Sequence, residues 1–280
     1  MMIFTMHDRN KLHEGKSNGQ GPKTQRKVCL SPDRRWIERG AAIIFALTLW
    51  QIGAMLLNQK LLLVTPIAVA QRLVSLCAEA DFIQAIAFSF ARIVFGYFLA
   101  LIVGCILAVI AGRFHVVEVI LWPFIHVIKS VPVASFIILC LIWLSSRNLS
   151  VFIAFLMVLP IIYTNMLQGI KSTDRGLLEM AKLFRVGWLK KMKYIHLPQI
   201  KPYLISACTL SIGMSWKAGV AAEVIGIPDG SIGEKLYEAK VYLSSADLFA
   251  WTVVIVFISI LFEKIFLFLL KQFYVQLEKS

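Results

Sequence analysis

Residues 82–111 read FIQAIAFSFARIVFGYFLALIVGCILAVIA, thirty positions with one charge, Arg92. A helix rises about 1.5 Å per residue and the hydrocarbon core of a bilayer is about 30 Å thick, so roughly twenty such residues suffice to cross it. The rest of the chain has the same character. Over 280 residues the mean hydropathy is +0.75, with 59% hydrophobic and 16% charged residues. Soluble domains carry about 45–50% apolar and about 25% charged residues. The sequence is that of an all-α integral membrane protein with about six transmembrane helices.

Outward from 82–111, a first span is predicted over Gly40–Leu57, followed by a loop and short amphipathic helix in 58–81. A third span, Val116–Leu144, is interrupted by Pro123 and Pro132, each of which removes a helical donor and tends to break or kink the helix. The fourth runs over Ser150–Ile170, the fifth over Lys201–Ile225 and the sixth over Leu248–Leu270. A short turn is expected at Ser145–Leu149, and 226–247 is expected as an outer segment with a short helical pattern in SIGEKLYEAKVYL (231–243). Six crossings put both chain ends on one side.

The formal charge of +13 is concentrated in two places. Residues 1–39 hold nine Lys/Arg against four Asp/Glu, and residues 171–201 hold eight against two. Lys/Arg excess beside spans marks the cytoplasmic face, and six crossings put both stretches there. Charge so placed reports topology and attraction to the anionic lipid bilayer, and no nucleic acid is expected as a partner. The domain plan is therefore a basic, disordered cytoplasmic tail (1–39), a membrane domain (40–271) containing a cytoplasmic loop at 172–198, and a cytoplasmic C-terminal tail (272–280). The tail is too long and polar for a cleavable signal peptide, so the first span reads as an uncleaved anchor.

Several motif fragments carry no chemistry. Gly15–Lys16–Ser17 resembles the end of a phosphate-binding loop, but Asn10 stands where such a loop needs glycine and no strand precedes it. The five cysteines (29, 77, 105, 140 and 208) lack metal or disulfide spacing. His115, His126 and His196 have no ligand spacing either. No nucleophile–base arrangement appears, so the chain is read as a non-enzyme. Trp50, Trp122, Trp143, Trp216 and Trp251 are expected as anchors at the membrane interface.

The basic passage at 179–198, EMAKLFRVGWLKKMKYIHLP, returns to water between two apolar runs. Ser172, Thr173 and Asp174 are good N-caps. Leu177, Ala181, Phe184 and Trp188 recur at spacings of four, three and four, the apolar stripe of a helix, with Arg175, Glu179 and Lys182 opposite. Such a helix can lie flat among lipid headgroups or fit the groove of a soluble partner.

This segment resembles the EAA loop of ABC-importer permeases, with Glu179, Ala181, Ile195, Leu197 and Pro198 in register. Met180 replaces the first alanine, and Arg185 stands where the motif has glycine, with Gly187 two residues later. The stretches SFARIVFG (89–96), PFIHVIKSVP (123–132) and WKAGVAAE (216–223) are similar to the second, third and fifth spans of the nitrate/sulfonate/taurine branch. The resemblance covers about residues 60–270.

It implies a MetI-like fold, as in type I importers, and a permease subunit that forms the path for a small anion or related solute. It implies as partners a second copy of the chain in a homodimer, a cytoplasmic ABC ATPase dimer and an extracytoplasmic substrate-binding protein. No cofactor is expected in this chain, ATP and Mg belonging to the partner ATPase. The ATPase-coupling loop would comprise Glu179, Met180, Ala181, Phe184, Arg185, Gly187, Leu197 and Pro198, and the membrane a bacterial inner membrane.

Charges inside apolar runs face cavities or partners, because a charge at mid-bilayer costs about 2.5–3.5 kcal/mol on insertion scales. Ser215, Trp216, Lys217 and Glu223 are therefore candidates for the translocation path, with Lys217 attracting an anion. Arg92, Lys129 and Pro132 are structural or path-lining. Lys217 and Glu223 are six apart, too far round a helix to pair. The competing reading is an ion-coupled secondary transporter or channel, whose ion sites sit on broken helices.

Overall fold

The computed structural model describes residues 32–57 and 63–279. Of the predicted disordered tail 1–39, residues 1–31, with the Gly15–Lys16–Ser17 triplet, lie outside the described residues, and the part from Pro32 onward is helical and not disordered. The chain divides into residues 1–48 and 49–280. Helix α1 (Pro32–Leu57) begins in the first unit, and its apolar part, Gly40–Leu57, matches the predicted first span.

The larger unit contains α2 (Pro66–Cys77), α3 (Ala80–Arg113), α4 (His115–Ser130), α5 (Val133–Cys140), α6 (Ser146–Lys171) and α7 (Arg175–Leu183). After these come α8 (Trp188–Lys191), a π turn (Met192–His196), α9 (Leu197–Gly226), α10 (Ile232–Val241) and α11 (Ser245–Lys279). Local signals set the boundaries. Thr65 Oγ1 accepts the Ala68 N–H at 3.3 Å with Pro66 in the first turn of α2. Ser231 Oγ accepts the Glu234 N–H at 3.0 Å, and the Glu234 carboxylate reaches back to the Gly230 N–H at 2.6 Å.

The core is the trio α3, α6 and α9. Without a hydrophobic driving force in lipid, helices associate by close packing, which small residues permit. Gly96, Gly104 and Gly112 recur every eight residues on α3 and meet Val151 and Ala154, Ile162, and Ile170 on α6. The pairs advance together, so α3 and α6 run parallel. α9 runs antiparallel to α3, with Gly219 against Ile93 and Glu223 against Ser89.

Among the described residues five helices are long and apolar enough to cross a membrane, and a sixth crossing is the pair α4–α5, bent by 102°. Contacts decide that this pair crosses. α4 starts beside the end of α6, where Lys171 Nζ lies 2.5 Å from Glu118 Oε1. α6 starts at the opposite end, where Gly226 meets Leu149 and Ser146. That end also carries α10 and α2, the latter tied to α11 by the Arg72–Asp247 ion pair.

The structure corrects four local expectations. Pro123 lies inside an unbroken α4, and the break falls only at Val131–Pro132, where both residues are extended. α6 starts at Ser146, so the turn precedes it. α11 continues as helix through the predicted tail to Lys279. Trp216 and Trp251 are core residues at 2% and 3% exposure, whereas Trp122 and Trp143 are exposed as expected of anchors.

Candidate functional site

At the end of the bundle carrying Lys171, α7 projects as a knob. Asp174 caps it, Oδ1 accepting the Gly176 N–H at 2.8 Å, while the Asp174 N–H donates to Gln199 Oε1 at 3.0 Å. Thr173 Oγ1 lies 3.1 Å from His196 Nδ1. The start of the knob is thereby tied to the first turn of α9. Glu179 and Met180 are exposed, Ala181 is buried and Leu178 is half-buried.

The expected apolar stripe ends early. α7 stops at Leu183, so Phe184 caps it and Trp188 belongs to α8. The apolar tip is instead Met180, Leu183 and Phe184, with Leu183 79% and Phe184 72% exposed. Arg185 follows at φ +50°. Its N–H donates to the Lys182 carbonyl at 3.1 Å, and the Val186 N–H donates to that of Ala181 at 2.9 Å. These two bonds define a Schellman terminus, and Arg185 occupies the left-handed position that usually selects glycine. Gly187, exposed and without a positive φ, does not supply it. Leu197 and Pro198 begin α9.

Within the bundle, α9 has two sides. Ala207, Cys208, Ser211, Ile212, Ser215, Trp216, Gly219 and Glu223 are buried, whereas Thr209, Leu210, Met214 and Lys217 are exposed. Of the four candidates on this helix, only Lys217 is on the open side. Lys129 on α4 is also exposed, its Nζ 3.4 Å from Thr164 Oγ1 on α6. Thr164 Oγ1 in turn donates to the Pro160 carbonyl one turn back at 2.7 Å, which fixes the hydroxyl against its own helix. Beside them a cavity of about 270 Å³ between α4 and α6 is lined by Glu118, His126, Thr164, Gln168 and Lys171 among others. Polar groups on an exposed side of membrane helices require water or a partner.

The sequence profile of the family described as "Binding-protein-dependent transport system inner membrane component" matches residues 100–276. The chain belongs to this family of ABC-importer permeases, whose fold is MetI-like. The permease is 24% identical over 250 residues to a Bacillus subtilis protein named as an aliphatic sulfonates transport permease, covering 87% of this chain and 90% of that one. It is 24% identical over 259 residues to a taurine transport system permease of Escherichia coli, covering 90% and 91%. A nitrate import permease of Leptolyngbya laminosa is 26% identical over 163 residues, covering 58% of this chain and 57% of its own.

In the permease, Arg92 is half-buried with its guanidinium 4.2 Å from the centre of the Phe88 ring. It lines a groove of about 880 Å³ between α3 and α6 with Asn148, Phe95 and Phe152. No ion pair to Arg92 occurs among the described residues. Pro132 forms the elbow of α4–α5. Glu223 is fully buried, accepting from Ser89 Oγ at 2.6 Å. Sequence reasoning missed His126, Thr164 and Gln168. The available signal was polar residues at spacings of three and four within apolar spans: 126, 129 and 130 on α4, and 164, 165 and 168 on α6.

Proposed function

We propose that the permease, as a homodimer, forms the translocation path for a small anion of the sulfonate, taurine or nitrate type. An external binding protein delivers the solute, and a separate cytoplasmic ATPase dimer, which holds the ATP and Mg, drives the cycle. The observation that carries this reading is the knob. An apolar tip of Met180, Leu183 and Phe184 stands exposed among Glu179, Lys182 and Arg185, and hydrogen bonds join its base to α9. An apolar anchor ringed by charge suits a protein cleft. A push on α7 reaches α9, which carries Lys217, through the Asp174–Gln199 and Thr173–His196 contacts.

Glu179, Met180, Ala181, Phe184, Arg185, Gly187, Leu197 and Pro198 form the coupling segment on this reading. Lys217 and Lys129 provide positive charge on the open side of the bundle, with His126 and Thr164 beside Lys129. Ser215, Trp216 and Glu223 support that surface from behind. Both termini and the knob are cytoplasmic, as the two basic stretches require.

Co-purification tests the reading. Tagged wild-type protein brings down an ATPase, and L183E/F184E inserts in the membrane yet loses it. An L183E/F184E protein that kept its ATPase and its uptake would refute the knob's role. The bent α4–α5 pair also suits an ion-coupled carrier; purified chain transporting solute in vesicles without nucleotide would favour that alternative.

A further inference from the structure

At the end of the bundle opposite the knob, four helices converge on one carboxylate. Glu223 is 0% exposed, deep in the last two turns of α9. Its Oε2 accepts Ser89 O–H from α3 at 2.6 Å and the Gly233 N–H from α10 at 3.4 Å. Ser89 Oγ in turn accepts the Ile232 N–H at 2.9 Å. Two of the first N–H groups of α10, which no helix can satisfy internally, are thereby taken by α9 and α3. Negative charge at this place also suits the positive end of α10.

The backbone geometry shows that the contact is built for closeness. A Cβ at Gly233 would sit 2.3 Å from Glu223 Cβ and 2.4 Å from its backbone carbon, so only glycine admits α10 this near. Ser150 on α6 lies near the carboxylate, and the charge of Arg92 on α3 acts on it. Glu223 Oε1, Ser150 Oγ and Arg92 Nη1 are buried without a hydrogen-bond partner. The cluster thus has one set of bonds made and a second set of polar groups unused on the α6 side. A slide of α9 against α6 could exchange partners within it instead of stranding a buried charge.

We propose that Glu223 is the positioning residue of the outer gate. It fastens the N-terminus of α10 to the outer ends of α9 and α3, so that α10 and α9 move as one body. The turn that follows α10 is held separately, Ser244 donating to Asp247 of α11, which also pairs with Arg72 of α2. A force on the outer surface therefore reaches the helix bearing Lys217 through α10 and the Glu223 contact. This rests on the importer reading, and the test separates the two.

The permease–ATPase complex is placed in lipid nanodiscs as wild type, E223L, E223Q and S89A. Amide exchange is followed at Ile232 and Gly233, and ATP hydrolysis is measured with and without the substrate-loaded binding protein. In E223L, exchange at these amides rises about tenfold, as loss of a buried hydrogen-bond acceptor implies. Basal hydrolysis persists, and stimulation by the binding protein falls by a similar factor. E223Q, which keeps the shape and an acceptor oxygen, restores most of the coupling.

Normal stimulation in E223L despite fast exchange would make the contact merely structural and overturn the proposal, as would unchanged exchange. E223Q as uncoupled as E223L would assign the effect to charge and also overturn it. If E223L fails to assemble, S89A must show the same faster exchange and weakened coupling, and a wild-type S89A profile overturns the proposal. A wild-type chain that recruits no ATPase would refute the importer reading, while the exchange measurement on the chain alone still decides whether Glu223 fastens α10.

Discussion

Arg185 is the sharpest point at which to perturb the knob. Its φ of +50° is left-handed, a region where the Cβ of an L-residue crowds the backbone at a cost of about 1–2 kcal/mol. Arg185→Gly relieves that cost, but glycine gives back about 0.5–1 kcal/mol through the greater freedom of the unfolded segment. The side chain is exposed, so little packing is lost. The net gain is about 0.5–1 kcal/mol, a factor of about 2–5 in how often the turn opens. Amide exchange at Arg185 and Val186, whose N–H groups make the two Schellman bonds, reads this directly. R185G slows exchange at these positions by that factor, whereas R185A, still left-handed with a Cβ, leaves it unchanged. Exchange that slowed in R185A and not in R185G would refute the argument, because the residue would then not be held left-handed.

Gly96→Ala sets a Cβ 2.4 Å from the Val151 carbonyl oxygen; overpacking of this kind costs typically about 1–3 kcal/mol, visible as a lower melting temperature, and Gly187→Ala, with nothing within 4 Å, leaves melting unchanged. Lys217→Met removes an exposed cation from the open side of α9; a charge contact at ~4 Å in a water-like medium is worth about 1 kcal/mol, so anion uptake falls about fivefold with assembly intact, and unchanged uptake refutes its role. The hydrogen bond and charge of Asp247 hold the Arg72 guanidinium above its ordinary range. Both partners are partly exposed, so Asp247→Asn costs only about 0.5–1 kcal/mol in melting, and less at high salt; a loss of several kcal/mol would show that the pair is more deeply desolvated than its geometry indicates.

The class of protein and the positions of the six crossings were legible in the sequence. They follow from hydrophobic run length, which needs no partner to be read. The N-cap at Asp174 and the short helix within 58–81 were equally local. The sequence also marked Arg185 as standing at a glycine position, and the backbone keeps the left-handed conformation there.

The faces presented by each helix depended on packing. Along a helix apolar nearly all round, hydropathy does not distinguish a side chain facing lipid from one facing a neighbour. Trp216 and Lys217 are adjacent in sequence yet lie on opposite sides, one in the core and one exposed. The same limit hid the pairing of Lys129 with Thr164, 35 residues away, and that of Ser89 with Glu223, 134 residues away. The two prolines of the third span also differed. Pro123 was absorbed, and Pro132 made the elbow because the preceding residue is extended as well.

The sequence alone therefore determined that this chain is a six-crossing membrane protein with an amphipathic segment between its fourth and fifth crossings, because bilayer thickness and helical periodicity act on segments one at a time. Only the tertiary structure decided which polar groups meet and which stand open. That depends on the rotation of each helix about its axis, set by the glycine contacts of α3 with α6 and of α9 with α3.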